Sequence, residues 1–173
     1  MNDIAYITYQ KFPANTANSL QTITNLKYFV KYGFKTKLIF PLRGKDAMSD
    51  ILKLKNFNLI SNLPYNISSK FLLRIIKLNK HFRSLVCMIQ SELADKFDYR
   101  TKKMNKYKFL SEYCAKYKIL FNVSPNVFYP KPKVNSKVIR FELIKKNINP
   151  ENLDYFINTF FINRRKKIKS NKN

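Results

Sequence analysis

Phe57-Asn58-Leu59-Ile60-Ser61-Asn62-Leu63-Pro64-Tyr65-Asn66-Ile67-Ser68 is the stretch on which the reading of this 173-residue chain turns. The apolar run 57–61 reads as a strand, it stops abruptly at Asn62-Leu63-Pro64-Tyr65, and apolar residues then recur at helical spacing from Ile67 to Leu78. The stretch reads as a strand that stops in an active-site loop, within an α/β sheet. Within four residues the loop gathers the side-chain amide of Asn62, the carbonyl of Pro64 and the ring of Tyr65. These are the groups needed to hold a flat base bearing an exocyclic amine, and the chemistry expected of them is methyl transfer to that nitrogen.

Outward from this point the chain alternates strands and helices. Ile4 to Tyr9 is a short β-branched and aromatic run. Ser19 to Tyr32 has helical spacing, with Leu20, Ile23, Leu26, Phe29 and Val30 on one stripe that ends at Gly33, and Thr36 to Phe40 is a second strand. Strand, helix and strand in this order pack as a right-handed parallel unit. Beyond the Asn62 loop, Ser84 to Gln90 reads as a buried strand, Glu92 to Phe97 as a helical turn, Phe109 to Lys116 as a helix and Ile119 to Val123 as a strand. Residues 137–144 alternate as a closing antiparallel strand, and Asp154 to Ile162 reads as an amphipathic helix followed by the basic run Arg164-Arg165-Lys166-Lys167-Ile168-Lys169. One helix and a basic run cannot bury a core of their own, so they are expected to open a helical domain of which only the start is present.

Thirty-four Lys and Arg against ten Asp and Glu give a net charge of +24. A field of that size favours a polyanion, above all a nucleic-acid backbone, although a surface filled with Lys and Asn by compositional bias would look the same. The only cysteines, Cys87 and Cys114, sit in apolar contexts typical of small buried hydrophobes. One histidine, His81, leaves no basis for the usual zinc sites or a histidine nucleophile triad, and no apolar run reaches membrane-span length. A monomeric, reduced, cytoplasmic protein without metal or membrane is expected.

From about Asp46 onward the chain resembles the ribosomal RNA adenine dimethyltransferases. The motifs that carry the likeness are Asp46-Ala47-Met48, NLPYNIS at 62–68, MIQSELADKF at 88–97, FYPKPKVNS at 128–136 and FFINRRKKI at 160–168, in that order. The resemblance implies S-adenosylmethionine as methyl donor and small-subunit ribosomal RNA as partner. It implies an incomplete Rossmann-like methyltransferase sheet with a late antiparallel strand and a short C-terminal helix. By the same resemblance Asp46, Ala47 and Asn62 face the cofactor, with Asp46 bonding its adenine amino group. Asn62 and the Pro64 carbonyl would accept hydrogen bonds from the target amine, and Tyr65 and Phe128 would flank the extruded adenine. Lys131, Lys133 and the cations Arg164, Arg165, Lys166 and Lys167 would meet RNA phosphates. Structural roles compete at each position: Asn62 as a cap for the following helix, Tyr65 as packing, the Pro130-Lys131-Pro132-Lys133 run as a rigid linker, Asp46 as a solvated loop residue, and the basic run as a solvated helix face.

The first ~43 residues depart from that family, whose first strand is followed by a Gly-rich cofactor loop. Gly33 and Gly44 are the only glycines in the chain. Ile4-Ala5-Tyr6-Ile7, Tyr9-Gln10-Lys11-Phe12-Pro13, Ala17-Asn18-Ser19-Leu20-Gln21-Thr22 and Leu38-Ile39-Phe40-Pro41 resemble instead the opening of group 1 glycosyltransferases. Three segments are therefore expected: 1–43 as a strand-helix-strand unit that covers a sheet edge, 44–145 as the later part of a methyltransferase core, and 146–173 as the start of a basic helical domain. The function this implies is S-adenosylmethionine-dependent adenine N6-dimethylation. The missing glycine loop opens the alternative of a non-catalytic RNA-binding remnant, and the first segment that of a glycosyltransferase fragment.

Overall fold

A computed structural model describes residues 3–8, 17–39, 55–78, 81–100, 102–144 and 149–161. The described strands are β1 (Ile4–Ile7), β2 (Thr36–Ile39), β3 (Phe57–Asn62), β4 (Phe82–Gln90), β5 (Ala115–Val123) and β6 (Ser136–Leu143). The helices are α1 (Ala17–Lys31), α2 (Tyr65–Lys77), α3 (Ser91–Phe97), α4 (Lys106–Cys114) and α5 (Pro150–Phe161). The strands form one sheet in the order β2-β1-β3-β4-β6-β5. The first four are parallel, while β6 runs antiparallel to both of its neighbours. This is the α/β sheet with a late reversed strand that the sequence predicts.

Strands β2 and β1 form one edge of this sheet. Ile4 to Ile7 pair with Asn58 to Ser61 on one side and with Thr36 to Ile39 on the other. All four residues of β1 are buried, as a parallel strand with neighbours on both sides requires. Ser61 fixes the register further, because its hydroxyl donates to the Ile7 carbonyl at 2.8 Å.

The helices follow their apolar spacing with one exception. On α2 the buried residues are Ser68, Phe71, Leu72, Ile75 and Ile76, a single stripe at helical period laid onto the sheet. On α4 the Asn105 side chain caps the first turn by accepting from the backbone N–H groups of Tyr107 (2.8 Å) and Lys108 (3.1 Å). That helix ends at Cys114, earlier than the pattern suggests, since Ala115 is already extended and opens β5. The exception is α1, where Leu20, Ile23 and Val30 of the expected apolar stripe are exposed and Ser19 and Thr22 are buried instead. Two contacts to β1 set this rotation: Phe29 packs on Tyr6 at 6.3 Å, and Asn25 Nδ2 donates to the Tyr6 hydroxyl at 3.2 Å. Gly33 closes the helix with φ of +78°, a left-handed geometry that suits glycine, while Phe34 N–H returns to the Phe29 carbonyl.

The core centres on Leu59, Leu72, Ile75, Phe82, Leu85, Phe97 and Phe141, all wholly removed from solvent. Phe97 meets Phe141 and Tyr107 edge-on at 5.1 and 5.2 Å, which docks α3 and α4 against β6. Neither cysteine is in a disulfide, and both are buried as small core hydrophobes.

Candidate active site

Parallel sheets bind ligands beyond the carboxyl ends of their strands, and here those ends surround a cavity of about 250 Å³. Asn62, Leu63, Pro64, Tyr65 and Phe128 all line it. The loop after β3 and the motif before β6 therefore meet at one hollow, although they are more than sixty residues apart in sequence. The volume lies just under the roughly 300–1,000 Å³ of clefts that enclose drug-sized ligands, so it has room for one flat heterocycle.

The local bonding separates structural from available groups. Asn62 is the last residue of β3, and Pro64, with no side-chain cap bond, occupies the N-cap of α2. Asn62 therefore does not cap the helix, and among the described residues its amide has no hydrogen-bond partner. The Pro64 carbonyl is engaged by its own helix: it accepts from Ser68 Oγ at 2.9 Å and from the N–H groups of Ile67 and Ser68 at 3.2 Å. A carbonyl offers two lone pairs, so little capacity is left there for a substrate amine. The preceding Leu63 carbonyl, one residue closer to Asn62, accepts nothing among the described residues.

Tyr65 lies half-buried in the first turn of α2, and its hydroxyl is tied to Ser136 Oγ at 2.6 Å. Ser136 opens β6 and is wholly buried. Phe128 is half-buried just after the 3₁₀ turn Pro125–Val127, with its N–H donating to the Pro125 carbonyl at 3.2 Å. Lys131 and Lys133 are exposed on the same connection, outside the hollow. Asp46, Ala47, Arg164, Arg165, Lys166 and Lys167 lie outside the described residues.

Sequence reasoning missed a further part of the wall, since Tyr6, Thr8, Gln21 and Thr22 also line the cavity. Thr8 directly follows β1, and the rule that sites form where parallel strands end would have marked it. Ser136 was visible only as the last letter of the 128–136 motif, without a role.

The resemblance implies S-adenosylmethionine, whose carboxylate is held in such sheets by backbone amides of a glycine-rich turn after the first strand. Residues 8–16, which join β1 to α1, contain no glycine. Gly33 sits at the opposite end of α1. The side chains of Thr8, Gln21 and Thr22 are polar, but they do not reproduce a turn that lets backbone approach an anion closely. The sequence after β1 therefore does not fit the usual glycine-rich donor cradle. No group of acidic, His or Cys side chains able to hold a metal occurs among the described residues, and no described helix is long and apolar enough to cross a membrane.

Comparison with known proteins shows what this chain is similar to. The family model for ribosomal RNA adenine dimethylase matches residues 18–173. Ribosomal RNA small subunit methyltransferase A of Malacoplasma penetrans (strain HF-2) is 42% identical over 135 residues, covering 70% of this chain and 49% of that protein. The protein of the same name from Mycoplasmopsis synoviae (strain 53) is 37% identical over 139 residues, covering 76% and 53%. The chain thus spans about half the length of the curated relatives it matches. A crystal structure of a dimethyladenosine transferase from Plasmodium falciparum superposes with a TM-score of 0.67 over 99% of this chain and 67% of that one, at 17% identity, which shows the shared fold. The family match starts at residue 18, inside the segment whose opening resembles a glycosyltransferase, and that second resemblance finds no support. With its strand-end loop, its closing motif and a match that runs from α1 to residue 173, the chain belongs to the ribosomal RNA adenine dimethylase family.

Proposed function

We propose that this chain receives an adenine extruded from small-subunit ribosomal RNA and presents its exocyclic amine for N6-dimethylation. The observation that carries the reading is the pair of open acceptors at the end of β3, the Asn62 amide oxygen and the Leu63 carbonyl, in the same hollow as Tyr65 and Phe128. The N6 lone pair of adenine is delocalised into the ring, which makes the amine a poor nucleophile. Two acceptors that engage its two N–H groups favour the pyramidal nitrogen formed as the new bond develops, and so bind the transition state better than the planar ground state. Stacking on Tyr65 and Phe128 would offset the cost of extrusion by about 1–3 kcal/mol per base contact.

The family draws its methyl groups from S-adenosylmethionine. The residues around the hollow carry the acceptor half of that reaction: they bind the base, orient its amine and exclude water from one face. Asp46 and Ala47 on the donor side, and Lys131, Lys133 and Arg164 to Lys167 on RNA phosphates, belong to the same reading on their sequence positions. So does action as a cytoplasmic monomer, away from membranes and without a metal.

Asn62→Ala tests the assignment. Methyl incorporation into small-subunit RNA should fall at least about 100-fold with an unchanged thermal melt, in line with loss of one preorganised polar contact in a transition state. Unchanged incorporation would overturn it. One observation favours a second reading, RNA binding without catalysis: residues 8–16 lack glycine. Calorimetric titration separates the two, since millimolar S-adenosylmethionine that evolves no heat leaves only the binding function.

A further inference from the structure

The connection between β5 and β6 has two faces. Phe128, Pro132 and Val134 are half-buried, and the first two line the hollow. Tyr129, Pro130, Lys131, Lys133 and Asn135 are exposed. Tyr129 is 99% exposed yet belongs to the rim of the cavity. Among the described residues its hydroxyl has no hydrogen-bond partner and its ring no aromatic neighbour. Neither Lys131 nor Lys133 has an acidic partner among them.

A phenol ring fully in water at the mouth of a base-sized hollow, followed within four residues by two exposed lysines, is the arrangement that binds single-stranded nucleic acid: an aromatic face for a base beside cations for its phosphates. An RNA backbone supplies a counter-charge at every nucleotide for both ammonium groups, whereas an apolar protein surface would desolvate them unpaired. We propose that Tyr129 is the stacking platform for the nucleotide next to the extruded adenine, and that Lys131 and Lys133 hold the phosphates flanking it. This rests on the reading of the hollow as the adenine site. It adds a distinct contact outside the hollow: an unpaired neighbour held in the open while the target is held inside. Any base can stack, so the contact selects for single-stranded context rather than for sequence.

The test uses the full chain at one fixed salt concentration, because phosphate contacts make affinity salt-dependent. The probes are an oligouridylate carrying a single adenine and a fully paired RNA duplex. Tyr129→Ala should weaken binding of the single-stranded probe by about 5- to 150-fold and leave duplex binding within about twofold. Tyr129→Phe should bind like the parent, since the ring and not the hydroxyl does the stacking. Tyr129→Trp adds a tryptophan to a chain that has none, so its emission reports this position alone and should be quenched by the single-stranded probe. Parent-like binding by Tyr129→Ala, or an unquenched Tyr129→Trp in the saturated complex, overturns the proposal. The adenine-site reading fails by a different result: an oligouridylate in which purine, lacking the amine, replaces the adenine and binds the parent equally well.

Discussion

The Tyr65–Ser136 hydroxyl pair should show an asymmetric energetic signature. The two oxygens are 2.6 Å apart, and this is the only hydrogen bond of the Ser136 side chain among the described residues. A neutral hydroxyl pair contributes about 0.5–1.5 kcal/mol net, but an orphaned buried hydroxyl costs about 1–3 kcal/mol. Tyr65→Phe leaves Ser136 in that orphaned state, because Ser136 is wholly buried. Ser136→Ala instead frees a tyrosine hydroxyl beside an open hollow, where water can replace the lost partner. Tyr65→Phe should therefore destabilise by about 1–3 kcal/mol and Ser136→Ala by about 0.5–1 kcal/mol. The double variant should fall short of their sum by about 1 kcal/mol. Urea unfolding of the four proteins measures this: with slopes of about 1–3 kcal/mol per molar, the midpoint shifts are readily resolved. On the ligand side the two variants should agree: each keeps the ring but removes the bond that ties it, so both should bind the single-adenine oligonucleotide more weakly than the parent does. A Ser136→Ala cost equal to or above that of Tyr65→Phe, together with coupling below about 0.3 kcal/mol, would refute the claim that this bond positions the ring.

Two further outcomes follow from ionisable groups away from the site. The Arg100 guanidinium, at 2.7–3.0 Å from the Asp98 carboxylate, holds that carboxyl below its ordinary value of 3.8. A carboxyl lowered in the folded state contributes stability that is complete above its ordinary value and lost as pH falls through the folded one. The melting-temperature gap between the parent and Arg100→Ala should therefore be present at about pH 6 and shrink toward about pH 2; a gap that holds constant would show that the pair contributes nothing through charge. Burial in the core pushes the Cys87 thiol far up, and Cys114 is equally enclosed. Neither should react with an aromatic disulfide reagent in the native protein, and both should react in denaturant. Rapid native labelling of either would contradict their placement.

The sequence revealed most where one period ran without interruption. The closing strand is an example: Ile139, Phe141 and Leu143 face inward and Arg140 and Glu142 outward, as simple alternation requires. The stripe of α2 is another. On α1 the apolar pattern misled, because the buried face is fixed by two contacts to Tyr6 and admits Ser19 and Thr22 in place of Leu20 and Ile23. No local period encodes contacts with Tyr6, which lies 19 residues before Asn25 and 23 before Phe29. At the site, the residue types were legible but the bonding was not. Which carbonyl of the Asn62-Leu63-Pro64-Tyr65 loop is open depends on where α2 begins. It begins at Tyr65, two residues earlier than the apolar spacing suggests, and so it is the Pro64 oxygen that the helix consumes.

The reversal of β6 explains why two distant motifs can share one hollow. Parallel strands β3 and β4 end on the same side of the sheet, where Asn62 pairs with Met88. A further parallel strand would enter from the opposite side and bring only its last residues to that edge. Because β6 is antiparallel, it starts there, and Ser136 lies opposite both Gln90 of β4 and Val123 of β5. The whole 124–135 connection is thereby confined to the strand-end face. Phe128 reaches the hollow, Tyr129 stands exposed at its rim, and the last step of the connection delivers Ser136 to the Tyr65 hydroxyl. Shifting β6 by one residue would turn Ser136 to the other face of the sheet and release Tyr65. Register in this strand is thus a condition of the site as well as of the fold. Substitutions at Ile139 or Phe141 that loosen pairing should weaken binding of the single-adenine oligonucleotide in titrations at urea concentrations below the unfolding transition.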